Sequence, residues 1–242
     1  MKKVVVTVLA VLLGAFGVAS ATALPAGAAV RPSHGTRPAA ASLTLMPLGD
    51  SITWGVGSST GNGYRSALYD TLGAEGYSLD FVGSGRNGTM ADPDNEGHSG
   101  WLIEQIAGIA DSVLGTYHPN VVTLMIGTND LNRNNQVPTA IDRLHSLVDQ
   151  ITADDPGATV LLASLIVSTS ATEEQYRSAF NQQVPGIVQA EQGAGRHVGF
   201  VDMSALTPTD LSDDLHPNDG GYQKMADAFN NGVQAAHNAG WL

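Results

Sequence analysis

The stretch Val121-Val122-Thr123-Leu124-Met125-Ile126 constrains the fold more than any other. It is almost uninterruptedly apolar, the pattern of a strand buried on both faces of a sheet. Val160–Val167 reads the same way. Such a sheet needs helices above and below it, and the chain alternates accordingly. Leu43–Leu48, Leu79–Val82 and Val198–Val201 read as further strands. Helical spacing marks Tyr64–Glu75, Trp101–Leu114, Pro138–Ile151, Glu173–Gln192 and Gly220–Asn238, with a break expected at Pro185. Gly83–Gly100 is polar and Gly-rich and reads as a long loop. The expectation is an α/β protein, a three-layer α/β/α sandwich of parallel βαβ units with right-handed crossovers.

No linker divides residues 43–242, and 242 residues with 43% hydrophobic content suit one globular domain. Upstream, residues 1–28 read as a secretory signal peptide. Lys2 and Lys3 precede the apolar run Val4–Val18, and Ala26-Gly27-Ala28 offers a cleavage site. The run is short for a spanning helix. Residues 29–42, rich in Pro, Ala and Ser, read as a disordered lead-in. The expected location is extracellular. A formal net charge of -12 argues against nucleic acid and against anionic membranes as partners. With no cysteine, disulfides, zinc-thiolate sites and cysteine nucleophiles are excluded.

Three polar clusters follow strands or lie in late loops: Gly49-Asp50-Ser51, Gly127-Thr128-Asn129-Asp130, and Asp213-Asp214-Leu215-His216-Pro217-Asn218. Together they supply what a hydrolytic serine requires. Ser51 is the candidate nucleophile and His216 its base. Asp213, three residues earlier, can curl back to orient the histidine, with Asp214 as its competitor. The Asn129 amide and the Ser51 N–H are candidate donors to an oxyanion. No metal or cofactor is needed.

These clusters resemble the blocks of the SGNH (GDSL) hydrolases. Gly49-Asp50-Ser51 matches the first block, Gly127-Thr128-Asn129-Asp130 the third, and Asp213 to His216, followed by Pro217, the fifth. The resemblance implies a flavodoxin-like fold with a five-stranded parallel sheet, in agreement with the strand count above. It also implies that a glycine of the second block joins the oxyanion hole. Gly100, just before the helix starting at Trp101, is preferred over Gly83 for that place. Met46–Thr53, Phe81–Ser84 and Asn95–Trp101 further resemble carbohydrate esterase family 3, the acetylxylan esterase-like group. That implies deacetylation of plant polysaccharide such as acetylxylan through an acyl-enzyme, with acetylated carbohydrate or another small ester as partner. A GDSL lipase or arylesterase and a non-catalytic carbohydrate-binding protein are the rival readings.

Asp50, Trp54, His98 and Trp101 are the candidate substrate contacts. Asp50, adjacent in the turn, is also placed to bond backbone groups and shape the loop. Trp54 and Trp101 are equally readable as core. Asp92-Pro93-Asp94-Asn95-Glu96-Gly97 has the opening of a calcium loop, but Ile103 stands at the twelfth position, so an EF-hand is excluded and a solvated acidic loop is preferred. The remaining histidines read as surface residues.

Overall fold

The computed structural model describes residues 42–242, so the segments expected to be a signal peptide and, for the most part, a disordered lead-in lie outside the described residues. The chain enters on β1 (Ser42–Gly49), turns through the short helix α1 (Ser51–Trp54) and continues into α2 (Arg65–Glu75) and β2 (Ser78–Phe81). Two short strands follow, β3 (Gly85–Arg86) and β4 (Asp94–Gly97). Then come α3 (Ile103–Tyr117), β5 (Val121–Met125), the short α4 (Thr128–Asn132) and α5 (Ala140–Asp154). The last third holds β6 (Thr159–Ala163), α6 (Ala171–Asn181), α7 (Val184–Gly193), β7 (Val198–Val201) and α8 (Asp219–Asn238). None of the described helices is long and apolar enough to cross a membrane.

β1 is central. It pairs in parallel with β5, which pairs with β6, and β6 with β7. Its other edge is shared. Ser42–Leu45 pair with β2, while Leu48 and Gly49 pair with Glu96 and Gly97 of β4. β2 and β4 therefore occupy one position of the sheet in succession, and β3 adds an antiparallel edge to β4. The strand count thus rises from the expected five to seven, within the same doubly covered parallel architecture. α2 packs on α8, and α3 on α5, giving the two helical layers.

The apolar runs behave as their composition demands. Every residue of β5 and β6 is buried. Thr123, the polar residue in β5, is accommodated because its hydroxyl lies 3.0 Å from that of buried Tyr64. One boundary differs from expectation: the β6 run leaves the sheet after Ala163. The break expected at Pro185 is present, with α6 ending at Asn181 and Pro185 lying in the first turn of α7. A proline in a first helical turn removes an N–H that has no intrahelical partner anyway.

Candidate active site

Ser51 leaves the carboxyl end of β1 as the first residue of α1. A side chain at Gly49 would run into the Met125 carbonyl and the Thr53 hydroxyl, so the strand end closes tightly on β5. Asp50 caps α1, accepting from Ile52 N–H at 3.0 Å. Its carboxyl has no exposed surface, so Asp50 is not available as a substrate contact; burial makes it a scaffold of the turn. That burial pushes its pKa from 3.8 up to about 6, against the lowering effect of the Ile52 hydrogen bond.

His216 arrives from the loop before α8, which an antiparallel bridge between Leu211 and Pro217 closes at its base. Its Nε2 lies 2.9 Å from Ser51 Oγ, and its Nδ1 lies 2.8 Å from Asp213 Oδ2. Asp213 is held in turn, because its Oδ1 accepts from the N–H groups of Leu215 and His216 at 2.8 Å each. Partial burial raises the pKa of Asp213, but these backbone bonds and the His216 ring outweigh it and the net shift is downward. An ionised Asp213 accepting Nδ1–H leaves Nε2 as the acceptor facing the serine hydroxyl. Asp214 turns elsewhere, accepting from the Thr169 hydroxyl at 2.7 Å.

Asn129 lies in the first turn of α4 and is nearly buried. Its Nδ2 donates to the Trp101 carbonyl at 3.1 Å and, at 3.4 Å, to Asp50 Oδ2. Its Oδ1 accepts from Arg133 Nη2 at 3.2 Å. Asn129 therefore touches the neighbours of both Gly100 and Ser51. Among the described residues the N–H groups of Gly100 and Ser51 have no acceptor. Gly100 has φ +81, a conformation that favours glycine. Gly83 is pressed against the main chain of Asn95 and Glu96. Asp130 serves structure, accepting from Ile103 N–H at the start of α3 and from Arg143.

The segment expected to be a solvated acidic loop is tied down instead. Asp92 accepts from Phe81 N–H, Asp94 pairs with Arg86, and Asn95 turns back on Gly97 N–H. Buried Glu96 accepts from Ser84 N–H and Ser84 Oγ and contacts His98 Nε2 at 2.6 Å. Burial raises the Glu96 pKa, but the bonds from His98 and Ser84 prevail and hold it low. His98 is therefore anchored, and its ring stacks on Trp101 at 4.0 Å and 16°. Trp54 is half-buried with its ring over Gly85 of β3.

Among the described residues one group has metal-ligand proximity, His145, Asp149 and Glu191. Arg196 already pairs with both carboxylates. His145 is thus partnered, contrary to its reading as a plain surface residue; His197 stacks on Trp241 and His237 packs edge-on against Tyr77. Sequence reasoning missed Arg133 and Glu173. Arg133 follows Asn129 by four residues, one helical turn, a signal legible only once α4 is known to be helical. Glu173, in the first turn of α6, is buried, and among the described residues neither carboxyl oxygen has a partner at good hydrogen-bond geometry, the Ser168 hydroxyl nearby offsetting burial only in part. Burial pushes its pKa from 4.5 up to about 7.

A serine, a histidine and a carboxylate in contact at the carboxyl edge of a doubly covered parallel sheet form a serine-hydrolase triad, and the Gly49-Asp50-Ser51, Gly127–Asp130 and Asp213–His216 blocks that carry it mark the class as SGNH-fold hydrolases. The chain belongs to the GDSL-like lipase/acylhydrolase family, whose model matches residues 48–224. It is similar to a family 3 carbohydrate esterase from Clostridium thermocellum: 38% identity, 82% of this chain and 98% of that one covered, TM-score 0.74. A carbohydrate esterase family 3 structure from Talaromyces cellulolyticus shares 28% identity at TM-score 0.70, covering 80% of this chain and 97% of that one. A multidomain esterase from Ruminococcus flavefaciens is 30% identical over 218 residues, which is 77% of this chain but only 28% of that longer protein. By family, the chain is a carboxylic ester hydrolase close to carbohydrate esterase family 3.

Proposed function

We propose that this chain is a secreted esterase that removes acetyl groups from plant polysaccharide such as acetylxylan. The observation that carries the reading is the continuous contact from Asp213 through His216 to Ser51, on a chain of this family. Ser51 Oγ attacks the ester carbonyl while His216 Nε2 takes its proton. The tetrahedral oxyanion accepts from Ser51 N–H, Gly100 N–H and Asn129 Nδ2. For Asn129 the long 3.4 Å contact to Asp50 is the one exchanged for the oxyanion. Collapse expels the sugar alcohol, which His216 protonates, and leaves an acetyl-enzyme on Ser51. Water, deprotonated by His216, then releases acetate and restores the serine.

A small acyl group on a polar substrate suits the polar, Gly-rich segments around Ser51 and Gly100, which lack the long apolar stretches of a lipid lid. Trp101 and His98, stacked beside Gly100, are the preferred sugar contacts. Secretion rests on the composition of residues 1–28.

The test is acetate release from acetylated xylan, run beside acetyl and octanoyl nitrophenyl esters, with Ser51→Ala as control. The expected result is acetate release and acetyl-ester turnover, both abolished in the variant. Octanoyl turnover without acetate release would replace the substrate. Sugar binding without any turnover would favour the binding-protein alternative.

A further inference from the structure

The described residues carry seven cationic side chains, and six have an evident structural use. Arg86, Arg143, Arg177, Arg196 and Lys224 each sit on a carboxylate. Arg65 is fully buried and donates to the carbonyls of Trp54, Gly61, Asn87 and Pro93. Arg133 is the exception. It is exposed, in a chain with formal net charge -12, and forms no ion pair among the described residues.

Its position is defined. Arg133 caps the C-terminal end of α4, and its Nη2 donates to Asn129 Oδ1 at 3.2 Å. The same Nη2 would lie 3.0 Å from a Cβ at Gly100, so the guanidinium lies over that glycine. Arg133 therefore stands between the two segments that bear the Gly100 and Asn129 donors, next to the Trp101–His98 stack. Its Nε and Nη1 groups have no acceptor among the described residues. The nearest carboxylate partner of Asn129, Asp50, is buried on the Nδ2 side of the amide and leaves the Oδ1 side to Arg133.

We propose that Arg133 is a specificity residue that receives a carboxylate of the substrate. Resting on the deacetylase reading above, the substrate class is an acetylated polysaccharide that bears a uronic acid at or beside the acetylated sugar. A guanidinium presents paired N–H groups in the plane a carboxylate matches, and a sugar set against the exposed part of the Trp101–His98 pair would hold that carboxylate beside it. The acidity of the whole chain does not oppose this. At physiological ionic strength charges beyond about 8 Å are largely screened, and the local cation governs.

The experiment measures kcat/KM for wild type, Arg133→Ala and Arg133→Lys on a pair of acetylated xylo-oligosaccharides, one bearing a glucuronate next to the acetylated xylose and one neutral. Nitrophenyl acetate serves as a third substrate. Wild type is expected to prefer the acidic oligosaccharide by roughly tenfold, mainly through KM, and to lose that preference in salt. Arg133→Ala is expected to abolish the ratio, and Arg133→Lys to keep part of it. No preference in wild type, or equal losses on acidic and neutral substrates in Arg133→Ala, would overturn the proposal; equal losses would reduce Arg133 to a support for Asn129. If wild type hydrolyses nitrophenyl acetate but neither oligosaccharide, the deacetylase reading fails, and this inference falls with it.

Discussion

Asn129 serves two opposed demands. Its amide is hydrogen-bonded on both ends, to Arg133, Trp101 and Asp50, which fixes the amide's orientation before substrate arrives. A preorganised donor needs no reorientation when charge develops, and losing one typically costs about 3 kcal/mol, or roughly a hundredfold in rate. Asn129→Ala is expected to lower kcat by about that factor with little change in melting temperature; wild-type kcat in the folded variant would remove the residue from the oxyanion hole. The neighbouring carboxylates separate cleanly. Asp213 contacts the His216 ring, whereas Asp214 bonds Thr169. Asp213→Ala is expected to reduce kcat by roughly ten-thousandfold, and Asp214→Ala to leave it near wild type. The reverse order, measured on nitrophenyl acetate, would transfer the orienting role to Asp214.

Short elements position these residues, and a buried cation holds some of them in place. α1 and α4 are four and five residues long, each following directly from a strand of the sheet. Helices of this length are not stable alone and depend on packing. The chain leaving α1 is held by Tyr222, whose hydroxyl donates to the Val56 carbonyl at 2.5 Å. It is also held by Arg65, which gathers carbonyls from Trp54, Gly61, Asn87 and Pro93. Arg65→Met keeps much of the apolar volume and orphans those carbonyls. It is expected to destabilise the fold by about 3 kcal/mol or more, read by urea denaturation. A midpoint equal to wild type would mean that water replaces the guanidinium. The same paired segments explain why β3 and β4 escaped sequence reading. Gly85-Arg86 and Asp94–Gly97 carry no apolar alternation, and their pairing is set by β1 and by the Glu96 anchor.

At the scale of the molecule, two buried carboxyls link stability to pH. Glu173 shifts from 4.5 to about 7 and Asp50 from 3.8 to about 6, both chiefly by burial. Each folded-state pKa is raised, so the native state retains a proton that the unfolded chain releases. Stability is then highest below the unfolded values and falls as pH rises through the folded ones. For Glu173 the loss between pH 4.5 and about 7 is on the order of 3 kcal/mol. Glu173→Gln removes that titration. Its melting temperature is expected to fall less than that of wild type between pH 5 and 8. Parallel curves for the two proteins would show that Glu173 is ionised, and so solvated, throughout.

The layers of the fold were legible in the chain because strand and helix patterns are local: Val121–Met125 can only be buried on both faces, and Leu144 and Val148 can only share one side of a helix. The residues that meet at the site were legible as polar clusters after strands, since a parallel sheet brings its strand ends to one edge whatever their order. Tertiary structure alone decided the rest. Ser51 and His216 are 165 residues apart, and their 2.9 Å contact depends on the loop bridge at Leu211 and Pro217. Asp50 reads as a polar turn residue beside a cleft and is buried, because Asn129 and Ile52 close over it. Arg133 and Glu173 carry no motif. Their surroundings are assembled from segments distant in the chain, and burial and partnership are properties of that assembly rather than of any local pattern.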